Sequence, residues 1–86
     1  MKVSNLKSSS GNSVANQYVI EDGNKIMFQS YNSMIAEVMN GIIYLDPVYY
    51  NYSKTTSKYL YRFLNMNKKQ IEEGLKSGKI KFKNLN

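Results

Sequence analysis

Three basic residues in the second half of the chain are spaced so that they could share one surface. Lys54, Lys58 and Arg62 recur at four-residue intervals within the segment YYNYSKTTSKYLYRFL, and Tyr61 precedes the last of them. On a helix this spacing places the three side chains in one row, which we call the cationic stripe. Lysine and arginine bind phosphate oxygens, and tyrosine stacks on bases. The pattern predicts contact with nucleic acid, although a solvated helix face without a ligand fits the same spacing.

Aromatic and basic residues on either side extend this candidate surface. Tyr49, Tyr50 and Tyr52 precede the cationic stripe, and Lys68 and Lys69 follow it. Tyrosine has a large apolar body and a polar tip, so it suits half-buried interfaces. We expect at least one of these tyrosines to seal the edge of a small core that lacks tryptophan. The others suit a nucleic acid and a protein partner equally, because tyrosine and arginine are frequent in interface hot spots.

The residue types that most enzymes use are missing or dispersed. The chain has no cysteine and no histidine, which removes the commonest zinc ligands and the commonest general base. Its six acidic residues are scattered, so we expect no metal site and no cofactor. A pair formed by Ser57 with Lys54 or Lys58 is the one candidate nucleophile, and nothing in the sequence orients it. We therefore expect a protein that is not an enzyme.

The net charge of +6 is concentrated in the C-terminal half of the chain. Residues 1–46 contain three lysines and four acidic residues, whereas residues 47–86 contain nine basic residues and two acidic ones. This asymmetry predicts that the C-terminal half contacts an anionic partner. Lysines that only solubilise a small surface would produce the same composition.

Two dipeptides predict β-hairpins in the first half of the chain. Asp22-Gly23 separates the apolar segments VANQYVI and KIMFQSY, and Asn40-Gly41 separates Met34–Met39 from Ile42–Leu45. Both dipeptides are favoured in two-residue hairpin turns. We therefore expect an antiparallel sheet of about four strands, made of two hairpins.

Helical signals begin after Pro47. Ser53, Thr55 and Thr56 are candidate N-caps for a helix that starts at about Thr56 and ends at Asn65 or Asn67. Its apolar face contains the residues Tyr59, Leu60, Phe63 and Leu64.

A second short helix is predicted directly afterwards. Asn67 and Gln70 have the spacing of a capping box, Ile71 and Leu75 lie one turn apart, and Gly78 fits the C-terminal cap. In the tail KIKFKNL, Ile80 and Phe82 alternate with lysines, as expected for a C-terminal edge strand with one buried face. The predicted fold class is therefore α+β, with the two helices packed on one face of the sheet.

The N-terminal segment has the composition of a flexible arm. Residues 1–13 are rich in Ser, Asn and Lys, so we divide the chain into an arm over 1–13 and a single α+β domain over 14–86. The segment SSSGNSVANQ could form a backbone nest for an anion, but it lacks the lysine and spacing of a phosphate-binding loop. No stretch has the character of a signal peptide or a membrane span, so we expect an intracellular protein.

Several segments resemble a known group of proteins. SSSGNSVANQYVI, FQSY and YLD…YYNYSKTTSKYLYRFL are similar to a family of small uncharacterised proteins from phages and mobile elements of Gram-positive bacteria. The resemblance extends from about Leu6 to Leu85 and implies a location in the host cytoplasm. It implies no catalytic or binding residues.

Two functional hypotheses remain after these observations. In a phage setting, small proteins without catalytic residues commonly bind DNA or RNA, or inhibit a host defence complex, as anti-CRISPR proteins do. The leading hypothesis is nucleic-acid binding with weak sequence specificity through the cationic stripe, because the sequence contains no base-reading element. The alternative is an inhibitor that binds a host defence protein complex by the same surface. A structural protein of the virion, forming homo-oligomers through an exposed strand edge, is a third possibility.

Overall fold

One mixed sheet and two helices make up the fold. The computed structural model describes residues 1–86. Six strands follow one another across the sheet in chain order; neighbours are antiparallel except the last two, which are parallel. The elements are β1 (Lys2–Lys7), β2 (Ser13–Asp22), β3 (Lys25–Ser30), β4 (Ser33–Met39), β5 (Ile42–Leu45), α1 (Lys54–Leu64), α2 (Lys68–Ser77) and β6 (Ile80–Phe82). The predicted α+β class is confirmed; about four strands and a C-terminal edge strand were expected, and the sheet has six strands because β1 joins it.

Two-residue turns join the four central strands. Asn40 and Gly41 both have positive φ between β4 and β5, which is the signature of a type I′ turn. Between β2 and β3 the turn residues are Gly23 and Asn24, one position later than the dipeptide in the sequence indicates, and Gly23 has a φ of 64°. A third turn begins at Tyr31, which adopts a φ of 54° without being glycine. These turns set the register of the sheet.

The N-terminal segment forms a strand rather than an arm. β1 pairs with β2 through Val3 and Ile20, and Leu6 is buried in the core. The register shifts between Asn5 and Lys7, and Asn16 on the facing part of β2 takes a φ of 64°. Val3 and Leu6 are three residues apart, which does not fit the two-residue period of a strand. The sequence therefore predicts no strand here, and the sheet supplies the pairing.

The core lies between the sheet and the helices. Phe28, Ala36 and Leu45 are cross-strand partners on adjacent strands, and all three are fully buried. Leu60 of α1 packs into the same cluster, and the ring of Phe63 stacks on Phe28 with centroids 5.5 Å apart. Burying each large apolar side chain stabilises the fold by about 1.5–3 kcal/mol. This row is what holds α1 on the sheet.

Local signals define both helices. Ser53, one of the predicted caps, accepts a hydrogen bond from the N–H of Thr56, so α1 begins two residues before the expected start. The helix α1 ends at Asn65, whose backbone adopts the left-handed helical conformation. The predicted capping box of α2 is present, with reciprocal hydrogen bonds between Asn67 and Gln70. Neither helix has the length and apolar character needed to span a membrane.

The chain closes by returning β6 to the sheet. Ile80 pairs with Ile43 of β5 and is buried against α2, where the close approach requires a glycine at position 74. Phe82 is half exposed, and its ring packs against Tyr50 with centroids 5.4 Å apart. The predicted C-terminal edge strand is confirmed.

A buried carboxylate fastens the C-terminal tail. Asp46 accepts hydrogen bonds from the N–H groups of Val48, Tyr49 and Leu85 at 3.0–3.1 Å. Burial alone would raise the pKa of Asp46, but these bonds, together with Asn86, outweigh it and lower the pKa below its ordinary value of 3.8. The turn after β5, which leads to α1, is thereby tied to the end of the chain.

Candidate nucleic-acid interface

The position of α1 turns its basic side chains toward solvent. Leu60 and Thr56 are each 1 % exposed, and the hydroxyl of Thr56 lies 3.3 Å from that of Ser30 on β3. The opposite side of the helix carries Lys54 and Lys58, which are exposed. The predicted separation of a basic outer side from an apolar inner side is therefore present. Thr56, one of the candidate N-caps, is buried within α1, and Ser53 caps the helix.

A cleft lies beside the N-terminal half of α1, and we call it the basic cleft. It has a volume of about 610 Å³ and is formed by the turn before α1, the outer side of α1 and the first residue of α2. Its lining is cationic or neutral throughout and contains no carboxylate: Asn51, Tyr52, Ser53, Lys54, Ser57, Lys58, Tyr61 and Lys68. Five of these residues are among those predicted from the sequence. Ammonium groups, hydroxyls and an amide here face one shared space.

The basic cleft continues into a smaller cavity between the two helices. This α1–α2 cavity has a volume of about 70 Å³ and shares Tyr61 and Lys68 with the cleft. Leu60 and Ile71, both buried in the core, contribute its apolar lining. Glu72 also contributes to its wall and lies 3.9 Å from Lys68. The combined site therefore has a cationic mouth and an apolar interior.

The three lysines of the basic cleft are not held in strong internal ion pairs. Lys54 and Lys58 have no carboxylate within 4.0 Å, and the ammonium of Lys58 lies 5.3 Å from the centroid of the Tyr59 ring. Lys68 pairs with Glu72, but both side chains are well exposed, and such pairs are worth about 0.5 kcal/mol or less. An anion can therefore approach all three lysines without breaking a strong internal interaction.

Arg62 departs from the predicted stripe. Its guanidinium donates hydrogen bonds to the carbonyl oxygens of Lys7 and Ser8, both at 3.1 Å. These carbonyls belong to the end of β1 and the following turn, which the sequence predicts to be a flexible arm. Arg62 instead lines a second, smaller pocket of about 230 Å³ with Ser8, Ser9, Lys58 and Tyr59. The arginine is outside the basic cleft because it fastens the β1–β2 turn to α1.

The three tyrosines before α1 have different environments. Tyr49 and Tyr50 are half-buried and pack against the core, as expected for residues that seal its edge. Tyr52 is 55 % exposed, and the ring of Tyr49 contacts it in a T-shaped arrangement with centroids 5.7 Å apart. Tyr52 is thus the one tyrosine of the three that is both exposed and in the lining of the basic cleft.

Three polar residues of the cleft lining were not predicted to bind a ligand. One is Ser57, which the sequence analysis named only as a candidate nucleophile, and the other two were missed. Asn51 and Ser53 line the basic cleft, because the turn after Pro47 brings them beside Lys54. In the sequence they appear only as one polar residue on each side of Tyr52, a pattern that does not by itself predict a binding site. Lys69, which was predicted to belong to the surface, is exposed on α2 but does not line the cleft.

Sequence comparison places the chain in a family. A family model matches residues 1–82, and its description is a family of unknown function, DUF8033. The chain belongs to this family. No curated protein and no solved structure matches the chain. The family match covers nearly the whole domain, including β1, whereas the predicted origin in phages of Gram-positive bacteria stays a prediction.

Proposed function

We propose that the chain is a non-enzymatic nucleic-acid-binding protein that holds a sugar–phosphate backbone in the basic cleft. The observation that supports this most directly is the composition of the cleft lining. Lys54, Lys58 and Lys68 surround one space with no acidic residue among the lining side chains. Ammonium and hydroxyl groups donate hydrogen bonds to phosphate oxygens, so this set of side chains suits a phosphate ligand.

The spacing of the lysines fits a repeating anion. Consecutive turns of α1 place Lys54 and Lys58 about 6 Å apart along the helix axis, from the rise of 1.5 Å per residue. Adjacent phosphates of an extended strand are separated by a similar distance. α1 is packed on the sheet through Leu60 and does not project toward base edges as a recognition helix does, so phosphate contacts supply most of the affinity and sequence specificity is weak.

A salt titration tests this proposal. Three neutralised phosphates give a log–log slope of affinity against salt of about −2 on a single strand and about −3 on a duplex. Replacing Lys54, Lys58 and Lys68 by alanine should flatten the slope and weaken binding at low salt by at least about tenfold. The matched control replaces Lys76, Lys79 and Lys81, which removes the same charge from exposed positions outside the cleft. Equal weakening by both variants, or an affinity that ignores salt, would contradict the proposal.

A protein partner is the second candidate, because apolar side chains lie close to the basic cleft. Val48 is 67 % exposed and Phe82 is 51 % exposed; Val48 belongs to the turn before Tyr52, and Phe82 contacts Tyr50. In the phage setting that the resemblance implies, the partner would be a defence complex in the host cytoplasm. Nuclease-treated bacterial lysate separates the two candidates. If the wild type retains one protein in stoichiometric amount, the partner is a protein. Loss of that protein with Val48→Ser, but not with the control Lys76→Ala, supports the inhibitor.

A further inference from the structure

We propose that the basic cleft takes single-stranded and not double-stranded nucleic acid, with an unpaired base stacked on Tyr52. This inference rests on the proposed function and names its ligand. Two properties of the site lead to it, namely the shape of the cationic surface and the environment of the aromatic side chains.

The shape of the site excludes the common way in which a helix reads a duplex. A recognition helix projects from its domain and enters the major groove, which is about 12 Å wide. Here α1 is packed on the sheet by Leu60, flanked by α2 on one side, and bound through Arg62 to the β1–β2 turn on the other. Lys54 and Lys58 line a cleft between α1 and its neighbouring segments, whereas a recognition helix presents a free convex side to the groove. The outer side of α1 is exposed, but it does not project from the domain as a recognition helix does.

The size of the basic cleft matches a short stretch of one strand. Its volume of about 610 Å³ lies within the about 300–1,000 Å³ of sites that enclose small organic ligands. A space of this volume accommodates one or two nucleotides of a single strand. With Lys54 and Lys58 at the mouth, the phosphates stay in solvent contact while the bases turn inward.

The aromatic residues provide a surface for an unpaired base. Tyr52 is 55 % exposed, yet the contact with Tyr49 restricts its ring, so stacking on it costs little conformational entropy. Beyond it, Tyr61, Leu60 and Ile71 line the apolar α1–α2 cavity, and Asn51 and Ser57 supply polar groups for the edge of a base. A base within a duplex is already stacked and paired, so it cannot reach this surface.

Binding to three probes tests the inference. The probes are a labelled oligothymidine strand, the same strand annealed to oligodeoxyadenosine, and an abasic strand of equal length. Fluorescence anisotropy at moderate salt should show the oligothymidine bound about tenfold more tightly than either other probe, since stacking of one base contributes about 1–3 kcal/mol. Tyr52→Ala should reduce oligothymidine binding about tenfold and leave abasic-strand binding unchanged, whereas Tyr52→Phe, which keeps the ring, should bind as the wild type does.

The outcomes separate this inference from the proposed function. The protein could bind the duplex as tightly as the single strand and still lose binding when Lys54, Lys58 and Lys68 are replaced. That result would overturn the single-strand inference and keep the proposed function. Equal loss with Tyr52→Ala and Tyr52→Phe would overturn the stacking role of the ring. No binding to any probe would overturn both proposals. Circular dichroism of each variant verifies that the exposed substitution leaves the fold intact.

Discussion

Gly74→Ala should destabilise the protein, although the same change stabilises most helices. Gly74 lies within α2, where alanine is favoured over glycine by about 1 kcal/mol. A Cβ added here would lie 2.6 Å from Cδ1 and 2.7 Å from Cγ1 of Ile80. Carbon atoms pack best at about 3.5–4.0 Å, so α2 must move away from β6 or Ile80 must rotate.

The size of the effect follows from the enclosure of Ile80. Its side chain is 3 % exposed and packed between α2 and β5, so it cannot rotate into free space. Overpacking a closed core costs about 1–3 kcal/mol, which exceeds the gain in helix propensity. We expect a net loss of about 1 kcal/mol in the free energy of unfolding, within a range of about 0–2 kcal/mol.

Urea unfolding followed by circular dichroism measures this loss. Glu73→Ala, at the exposed neighbouring position of the same helix, is the control and should change stability by less than about 0.5 kcal/mol. Ile80→Val removes Cδ1, the nearest atom, so the cost of Gly74→Ala should fall in that background. A Gly74→Ala variant more stable than the wild type, or an equal cost in both backgrounds, would refute the reasoning.

Three further predictions concern the buried carboxylate, the second helix and the arginine. Because hydrogen bonds lower the pKa of folded Asp46, its contribution is complete above the ordinary pKa of 3.8 and is lost as pH falls through the folded pKa. Asp46→Asn should be less stable than the wild type at pH 7 and less sensitive to acid, measured by unfolding from neutral to strongly acidic pH. Asn67→Ala removes the hydrogen bond that the Asn67 side chain accepts from the N–H of Gln70, but keeps the one that its own backbone N–H donates to the Gln70 side chain. The change should lower the free energy of unfolding by about 1 kcal/mol, measured by thermal unfolding. Arg62→Ala should accelerate amide exchange in the β1–β2 turn, yet reduce oligonucleotide affinity less than Lys58→Ala does.

Each of these has an outcome that would contradict it. Parallel pH profiles for Asp46→Asn and the wild type would mean that the carboxylate contributes nothing to acid sensitivity. Asn67→Ala should be compared with Lys69→Ala, an exposed α2 position without a cap role, and equal effects would deny the capping box any energetic value. If Arg62→Ala weakens binding more than Lys58→Ala, the guanidinium contacts the ligand directly.

Local patterns predicted the parts of the fold that depend on neighbouring residues. The turn at Asn40-Gly41, the cap at Ser53, the end of α1 at Asn65 and the capping box at Asn67 all involve groups within four positions of one another. Backbone conformation and short-range hydrogen bonds decide these features, so residue type and spacing suffice.

The edge strands could be predicted only in part. β6 was expected from the alternation around Ile80, but its parallel pairing with β5 depends on the length and direction of two intervening helices. β1 was not expected at all, because Val3 and Leu6 are an odd number of positions apart and so do not mark one buried face. A strand with a single buried side chain carries no periodic signal of its own.

The amino-acid sequence by itself determined which side chains α1 turns outward, because the helical period separates Lys54 and Lys58 from Leu60. Only the tertiary structure decided which of them meet. Arg62 donates hydrogen bonds to the β1–β2 turn, more than fifty residues away along the chain. Lys68 lines the same cleft as Lys54 only because α2 turns back beside α1. A four-residue repeat determines on which side of one helix the side chains lie. A cleft forms only when separate elements pack against a common core.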